Sequence, residues 1–412
     1  MSKDVKCLLL TSVFAPIHGG SAVVYEGICR CSPPGTIQVL APWRHYYTGE
    51  MLNGWQAHDA RVSYTVHRLE LIRPLAVESK SRLHSLWLFL TADVSLKLKV
   101  LFKTLRLIRH EGINIICIGE LTSGSWVGLI CQRWLGVRVI NYIHGEEVTT
   151  NMEYRYYGRR RHEYLRRADA VVAVSKFTRR ALIEQMGVDP GKIELICNGV
   201  DLDRFQPAPQ NPTLLVRYRL QGKRVLLTVG RLVERKGIDM TLKALPQVLE
   251  QCTDVHYLIV GEGFYRTELE KIVHTLGLQH HVTFTGSIDD AELVAHYCLC
   301  DLFVMPNREL PDRDTEGFGL VFLEANACGK AVIGGRAGGV VEAVRDGQNG
   351  LLVDGNNIGE VAAAIIRLLS DFALRRRLEQ QGLAIARASS VEKSALRFNA
   401  LCQRLLEESR PA

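Results

Sequence analysis

The sequence has no apolar run approaching the roughly 20 residues that cross a bilayer as a helix. Stretches such as "LWLFL" (86–90) end after a few residues, so no membrane-spanning helix is expected. The opening "KCLLLTSVFAP" is too short for a signal peptide, runs into Pro16 and lacks a small-residue cleavage site, so it reads as a first buried strand. There is no C-x-x-C pair. The 11 cysteines are scattered, and Cys29/Cys31 and Cys298/Cys300 lie too close in sequence for the usual zinc spacing. They are expected to be small buried hydrophobes in a reducing cytoplasm. No G-x-G-x-x-G follows the first strand, which speaks against a dinucleotide-dependent oxidoreductase. Neither a recognisable nucleic-acid module nor an aromatic stacking pattern appears, so nucleic acid is not an expected partner. Internal repeats and low-complexity tracts are also missing.

What is present is ordinary for a globular protein: 412 residues, 47% hydrophobic and 23% charged, enough for two domains of about 200 residues. The net charge of +7 is unevenly placed. Residues 1–200 hold 26 Lys+Arg against 17 Asp+Glu, and the remainder 25 against 27. A basic first half beside a slightly acidic second half points the first toward an anionic surface or substrate. Short apolar β-type runs alternate with helical periodicity along the whole chain, the pattern of parallel sheets with helical crossovers. Strands are expected at 6–12, 37–41, 61–66, 114–119, 137–143, 169–175 and 193–196, then at 224–230, 255–261, 282–286, 301–306, 331–335 and 350–354. Helices are expected at 96–110, at 122–135 and from about 357 to 409. "NGVDLDRFQPAPQNPT" (198–213) has the prolines and turn residues of a linker. The expected architecture is α/β, with two Rossmann-like parallel-sheet domains facing across a cleft, 1–205 and 206–412. The final helix, about 390–409, is expected to pack back on the first. In such sheets ligands bind beyond the carboxyl ends of the strands.

Two stretches carry chemistry. In "VGRLVERKGID" (229–239), Arg231 leaves a strand end and Lys236-Gly237 leads into a helix. Arg231 can fork two phosphate oxygens and Lys236 supplies a mobile point charge. In "DTEGFGLVFLEANACG" (314–329), Gly317-Phe318-Gly319-Leu320 lets the backbone approach a ligand, and the helix that follows offers free N–H groups to an anion. A diphosphate on those N–H groups, with Arg231 and Lys236 beyond it, leaves Glu316 for sugar hydroxyls and Glu324 for a ribose diol. A carboxylate suits both because it only accepts.

The order G-R-x4-K-G, "VGEGFYRTELE" (260–270), "VTFTGSIDDAEL" (282–293) and the stretch from Met305 to Gly355 resembles the retaining family 4 glycosyltransferases, across almost all of 220–370. From Met305 onward it is especially similar to the phosphatidylinositol-mannoside type of mannosyltransferase. The resemblance implies the GT-B fold and a nucleotide-diphosphate sugar held mainly by the C-terminal domain. It makes Arg231 and Lys236 the diphosphate pair, Glu316 the contact to the transferred sugar, Glu324 the ribose contact and the main chain of Ile288 the base contact. Asp289 or Asp290 is a candidate reader of guanine, or equally a helix cap. In the first half, Gly19 and Gly20 match the family's flexible loop near donor phosphate and acceptor. His144 in "NYIHGEEV" matches its active-site histidine, and Ser175 sits in another family-like junction.

These expectations describe a retaining hexosyltransferase, with mannose from GDP-mannose favoured and a lipid-linked or saccharide acceptor in surface-polysaccharide or glycolipid synthesis. A UDP-glucose or UDP-N-acetylglucosamine donor, and a GT-B sugar-nucleotide 2-epimerase, remain alternatives. No cofactor or metal is expected: "DLD" (201–203) and "DRD" (312–314) have D-x-D spacing, but cationic side chains and a helix end already serve a diphosphate. The helical face of Lys99, Lys103, Arg106 and His110 in 97–110, and the basic run 159–167, suit an anionic membrane surface. The location expected is cytoplasmic, peripheral on the inner face of the plasma membrane.

Overall fold

A computed structural model describes residues 4–17, 19–75, 92–149 and 160–408, without the side chains of 122 and 123. The run 86–90 and Arg159 lie outside the described residues. The chain divides into two compact units. One takes in Met1–Val174, Thr178–Ile196 and Glu392–Ala412; the other Ser175–Phe177 and Cys197–Val391.

The first unit is a parallel sheet because its strands read as continuous apolar runs, which suit a sheet covered on both faces. Its strands are β1 (Cys7–Leu10), β2 (Ile37–Pro42), β3 (Thr65–Leu69), β4 (Ile115–Ile118), β5 (Arg138–Ile143), β6 (Ala170–Ala173) and β7 (Ile193–Leu195), in the order β3-β2-β1-β4-β5-β6-β7. Alternate residues Leu8, Leu10, Ile116, Ile118 and Val139 enter one core cluster with Leu107 and Ile108 of the helix Val94–Glu111. The edge strand β3 begins later than its V-x-Y-x-V alternation suggests. It pairs with β2 through Thr65–Leu69, and Arg68 is held to Asp59 at 2.8 Å. An edge position tolerates such polar content.

The second unit contains β8 (Arg224–Val229), β9 (Val255–Val260), β10 (Val282–Gly286), β11 (Leu302–Met305), β12 (Ala331–Gly335) and β13 (Gly350–Val353), all parallel, in the order β10-β9-β8-β11-β12-β13. Both sheets therefore reverse direction at one place, between β1 and β4 and between β8 and β11. Loops leaving the carboxyl ends diverge there and open a crevice.

The division falls after Ile196, not at the 205/206 boundary the sequence suggested. The reason is local. Val200 N–H donates to Ser389 O at 2.9 Å, Val391 N–H returns to Val200 O at 3.0 Å, and a Cβ on Gly199 would stand 2.3 Å from Ser390 O. The linker's first residues are thus built into the second unit. From Glu392 the last helix, Val391–Glu407, counts with the first unit, where Arg404 pairs with Glu194 at 2.7 Å and Phe398 meets Tyr142.

Candidate active site

In the second unit the site grows from the two strands that flank the reversal. After β8 the chain runs through Gly230 and the exposed Arg231 into a short turn, Glu234–Lys236, and then the helix Ile238–Gln251. Gly237 makes this possible: its φ is 69°, and a Cβ there would lie 2.0 Å from Pro306 O at the end of β11. Only glycine lets the two loops close on each other.

That closure buries Lys236 and places its Nζ 2.6 Å from Glu316 Oε2. Asn307, fully buried, donates to the same oxygen at 3.4 Å, and its Oδ1 has no hydrogen-bond partner among the described residues. Burial pushes the Glu316 carboxyl up, but Lys236, Arg235 and Arg231 outweigh it and hold it below the usual carboxylate range. Sequence reasoning gave Lys236 to phosphate and Glu316 to sugar as separate partners. In the structure they hold each other, because a buried ammonium requires a counter-charge.

The loop between Asn307 and Glu316 is tied to the β8 side by further ion pairs. Arg308 donates to Asp239 at 2.8 and 3.2 Å and to Glu234 at 3.1 Å, Lys243 reaches Asp239 at 3.0 Å, and Arg235 pairs with Asp314 at 2.9 Å. From the β12 side, Gly339 N–H donates to Glu316 O at 2.8 Å, and a Cβ on Gly338 would stand 2.3 Å from that oxygen. The carboxylate is held by its backbone as well as by its charge.

Beyond Glu316, Gly317 is half-buried and Phe318 is buried, and Gly319 (φ 90°) begins the helix Leu320–Ala327, whose N-terminus no side chain caps. Its first N–H groups present a positive dipole end. Glu324 on that helix is 7% exposed; its Oε2 accepts from the Tyr297 hydroxyl at 2.6 Å, and no described residue bonds its Oε1. Burial raises its carboxyl, and the Tyr297 hydroxyl and Arg204 only partly counter that. Ile288 lies half-buried in the loop after β10. Asp289 caps the following turn by accepting from Ala291 N–H at 3.2 Å, and Asp290 pairs with Arg204 at 2.6 Å, so both carboxylates have local duties.

The D-x-D stretches also have local duties. Asp201 accepts from Asp203 and Arg204 N–H, and Asp312 from Asp314 N–H. Among the described residues no group of three or more His, Cys, Asp or Glu side chains is arranged to hold a metal.

The first unit gathers polar groups at the ends of β1, β4 and β5. The Ser12 hydroxyl and N–H both bond the Glu120 carboxylate. His144 follows β5; its ring stacks on Tyr142 at 5.2 Å, and its Nε2 lies 2.9 Å from the Tyr25 hydroxyl of the helix Ser21–Arg30. Glu147 Oε2 accepts from His144 and Gly145 N–H at 3.2 and 3.1 Å. Burial pulls His144 down to about 3, leaving a neutral ring, and raises Glu147 to about 7. Gly19 and Gly20 hold φ 95° and 55°, and no atom of the described residues lies within 4 Å of an added Cβ. Among the described residues it is backbone conformation, not crowding, that calls for glycine there. Ser175 is fully buried at its strand–helix junction.

Sequence reasoning missed Asn307, Arg235, Arg308, Gly338, Tyr25 and Tyr297. The tyrosines sit in apolar helical patterns and read as core, which they also are. Arg308, directly after a buried strand, was the signal available for the ion-pair set.

Two families match the chain: Glycosyltransferase Family 4 over residues 45–204 and Glycosyl transferases group 1 over residues 216–384. A GDP-mannose-dependent alpha-(1-6)-phosphatidylinositol monomannoside mannosyltransferase from Mycolicibacterium smegmatis is 36% identical over 68% of this chain and 72% of its own length. Its counterpart in Mycobacterium tuberculosis is 40% identical over 65% and 69%. Among solved structures, Anabaena HepE in complex with UDP and glucose superposes with a TM-score of 0.76 at 22% identity, covering 96% of this chain and 99% of that one. Sucrose-phosphate synthase from Thermosynechococcus elongatus does so with 0.76 at 23%, covering 98% and 100%.

Proposed function

This chain belongs to glycosyltransferase family 4 and is a hexosyltransferase of the GT-B fold; from that premise we propose that it carries mannose from GDP-mannose to an inositol-containing, lipid-linked acceptor with retention of the α configuration. The observation that carries this reading is the Lys236–Glu316 pair beside the uncapped helix end at Gly319: one cation for a diphosphate, one carboxylate for sugar hydroxyls. Mannose and the inositol lipid are suggested by the names of the two mycobacterial relatives.

In this reading the diphosphate takes Arg231, Lys236 and the N–H groups at Leu320, while Glu316 turns from Lys236 to a hydroxyl of the sugar. Glu324 offers Oε1 to the ribose, and the backbone at Ile288 meets the base. His144, a neutral ring, takes a sugar hydroxyl. The acceptor oxygen attacks the anomeric carbon on the face from which the diphosphate leaves. The C–O bond to phosphate breaks as the new one forms, and the acceptor's proton passes to a departing phosphate oxygen. Preorganised positive charge at that oxygen is the main source of rate, and it comes from side chains and a helix end rather than a metal.

The helix Val94–Glu111 supports peripheral docking. It buries Val100, Leu107 and Ile108 but leaves Leu98 and Phe102 48% and 66% exposed beside Lys99, Lys103 and Arg106. Apolar anchors among cations suit an anionic lipid surface, and a cytoplasmic post at the inner face of the plasma membrane follows. The 159–167 run is the weaker candidate, since Arg161 and Arg166 donate to backbone carbonyls and Arg167 pairs with Glu163. No helix among the described residues is long and apolar enough to cross a membrane.

Thermal-shift measurement with GDP, UDP and ADP tests the donor, because preferential stabilisation reports differential affinity; greater stabilisation by UDP rejects GDP-mannose. Sedimentation with anionic and neutral vesicles tests docking, and equal recovery in both supernatants rejects it.

A further inference from the structure

Three groups in the first unit form a hydrogen-bonded chain: the Gly119 carbonyl, the Tyr25 phenol and Nε2 of His144. The direction of that chain follows from valence. A carbonyl oxygen only accepts, so the single phenolic proton goes to Gly119. Nε2, 2.9 Å from the same phenol oxygen, can then bond it only by donating its own N–H. A neutral imidazole carries one N–H, so Nδ1 is left as a bare lone pair.

Among the described residues, nothing around the ring reverses this order. The Tyr25 phenol is buried, and burial first, then Glu147 and Glu120, lifts it well above its ordinary range, so it keeps its proton. Burial also holds the imidazole neutral. The ring lies against the face of Tyr142 (5.2 Å, 26°) and the edge of Tyr25 (5.1 Å, 78°). The main-chain N–H of His144 already donates to Glu147, and no described residue bonds Nδ1.

We infer that Tyr25 is a positioning residue that locks His144 as its Nε2–H tautomer, so that Nδ1 can only accept and selects a hydroxyl of the transferred sugar over any phosphate oxygen. The inference rests on the reading that His144 meets the sugar. It goes further by fixing which atom does so and in which sense. A phosphate oxygen, itself an acceptor, finds no proton at Nδ1, whereas a sugar hydroxyl can donate to it.

Nitrogen-15 NMR of histidine-labelled protein reads the tautomer directly, with His144 identified by its loss in His144→Gln. The unmodified protein is expected to show Nδ1 unprotonated and Nε2 protonated. Tyr25→Phe removes one hydroxyl, keeps the ring packing and is expected to populate the other tautomer. With GDP-mannose as substrate, Tyr25→Phe should lower kcat/KM about tenfold, the scale of one hydrogen bond. Inhibition by GDP, which lacks the transferred sugar, should stay unchanged. A protonated Nδ1 in the unmodified protein overturns the inference. So does a tautomer that Tyr25→Phe leaves untouched, or a loss of GDP inhibition as large as the loss of turnover. The expected tautomers without turnover of GDP-mannose would support the lock and reject the donor.

Discussion

Glu316→Gln should move nucleotide binding and turnover in opposite directions. Glu316 Oε2 stands 2.6 Å from Lys236 Nζ, and both side chains are largely buried, at 17% and 11% exposure. At an effective dielectric of about 20, unit charges at that separation attract by roughly 6 kcal/mol. Desolvation of the two groups offsets most of this, and a partly buried pair is left with about 1–2 kcal/mol net. A diphosphate arriving at Lys236 must displace that interaction before it gains anything. Glutamine keeps the shape and removes the charge, so GDP is expected to bind about 5–30-fold more tightly. Transfer from GDP-mannose loses the charge-assisted bond to the sugar, about 2–3 kcal/mol, or roughly 30–150-fold in kcat/KM. Titration calorimetry with GDP and initial rates with GDP-mannose measure the two effects separately. Weaker GDP binding would refute the competition between carboxylate and diphosphate, and unchanged turnover would remove Glu316 from the sugar.

Lys236→Ala should cost about 3 kcal/mol of transition-state stabilisation, on the order of 100-fold in kcat; a rate within about threefold of the unmodified enzyme discards its role. Gly338→Ala places a Cβ 2.3 Å from Glu316 O at φ 55°, so calorimetry should show a loss of about 3 kcal/mol in stability, and an unchanged melting profile contradicts the close contact. The pH dependence of stability tests the first unit. Burial lowers His144 from 6.5 to about 3 and raises Glu147 from 4.5 to about 7. Between pH 4.5 and 6.5 the unfolded chain binds a proton at His144 that the folded one does not, so that group makes stability rise with pH. Glu147 is protonated only when folded, so it makes stability fall with pH. Each slope is about 1.4 kcal/mol per pH unit and the two cancel. In urea titrations His144→Gln should therefore add a downward slope over this window relative to the unmodified protein, and Glu147→Gln an upward one; parallel curves for all three reject the shifts.

The strands were legible because parallel sheets need uninterrupted apolar runs, and "RVLLTVG" or "NIICIG" admit little else. Only β3 slipped, by about four residues at its start, because an edge strand is not obliged to be apolar. Arg231, Lys236, Glu316 and Glu324 were picked out as candidates by residue type at a strand or helix end together with the family pattern they match. Their mutual arrangement was not legible. No spacing rule says that Lys236 and Glu316 pair, since 80 positions separate them in sequence and the pairing exists only because Gly237 closes on Pro306. Tyr25 and Tyr297 were invisible for a different reason. A tyrosine on an apolar helical face looks like core, and only the fold reveals which acceptor its hydroxyl meets.

Each unit gathers polar residues at the carboxyl ends of strands at or next to its reversal, yet the two treat charge oppositely. In the second unit, each buried cation has a carboxylate partner: Lys236 with Glu316, Arg235 with Asp314, Arg308 with Asp239 and Glu234. Burial there selects charged pairs. Around His144, burial instead keeps titratable groups uncharged: the imidazole is neutral, the phenol protonated and Glu147 shifted toward neutral pH. A doubly charged diphosphate gains from exchangeable ion pairs and from N–H donors at a helix end. A sugar's hydroxyls need hydrogen-bond partners rather than counter-charge. The two crevices therefore differ in what burial leaves charged: ion pairs in the second unit, neutral groups around His144 in the first.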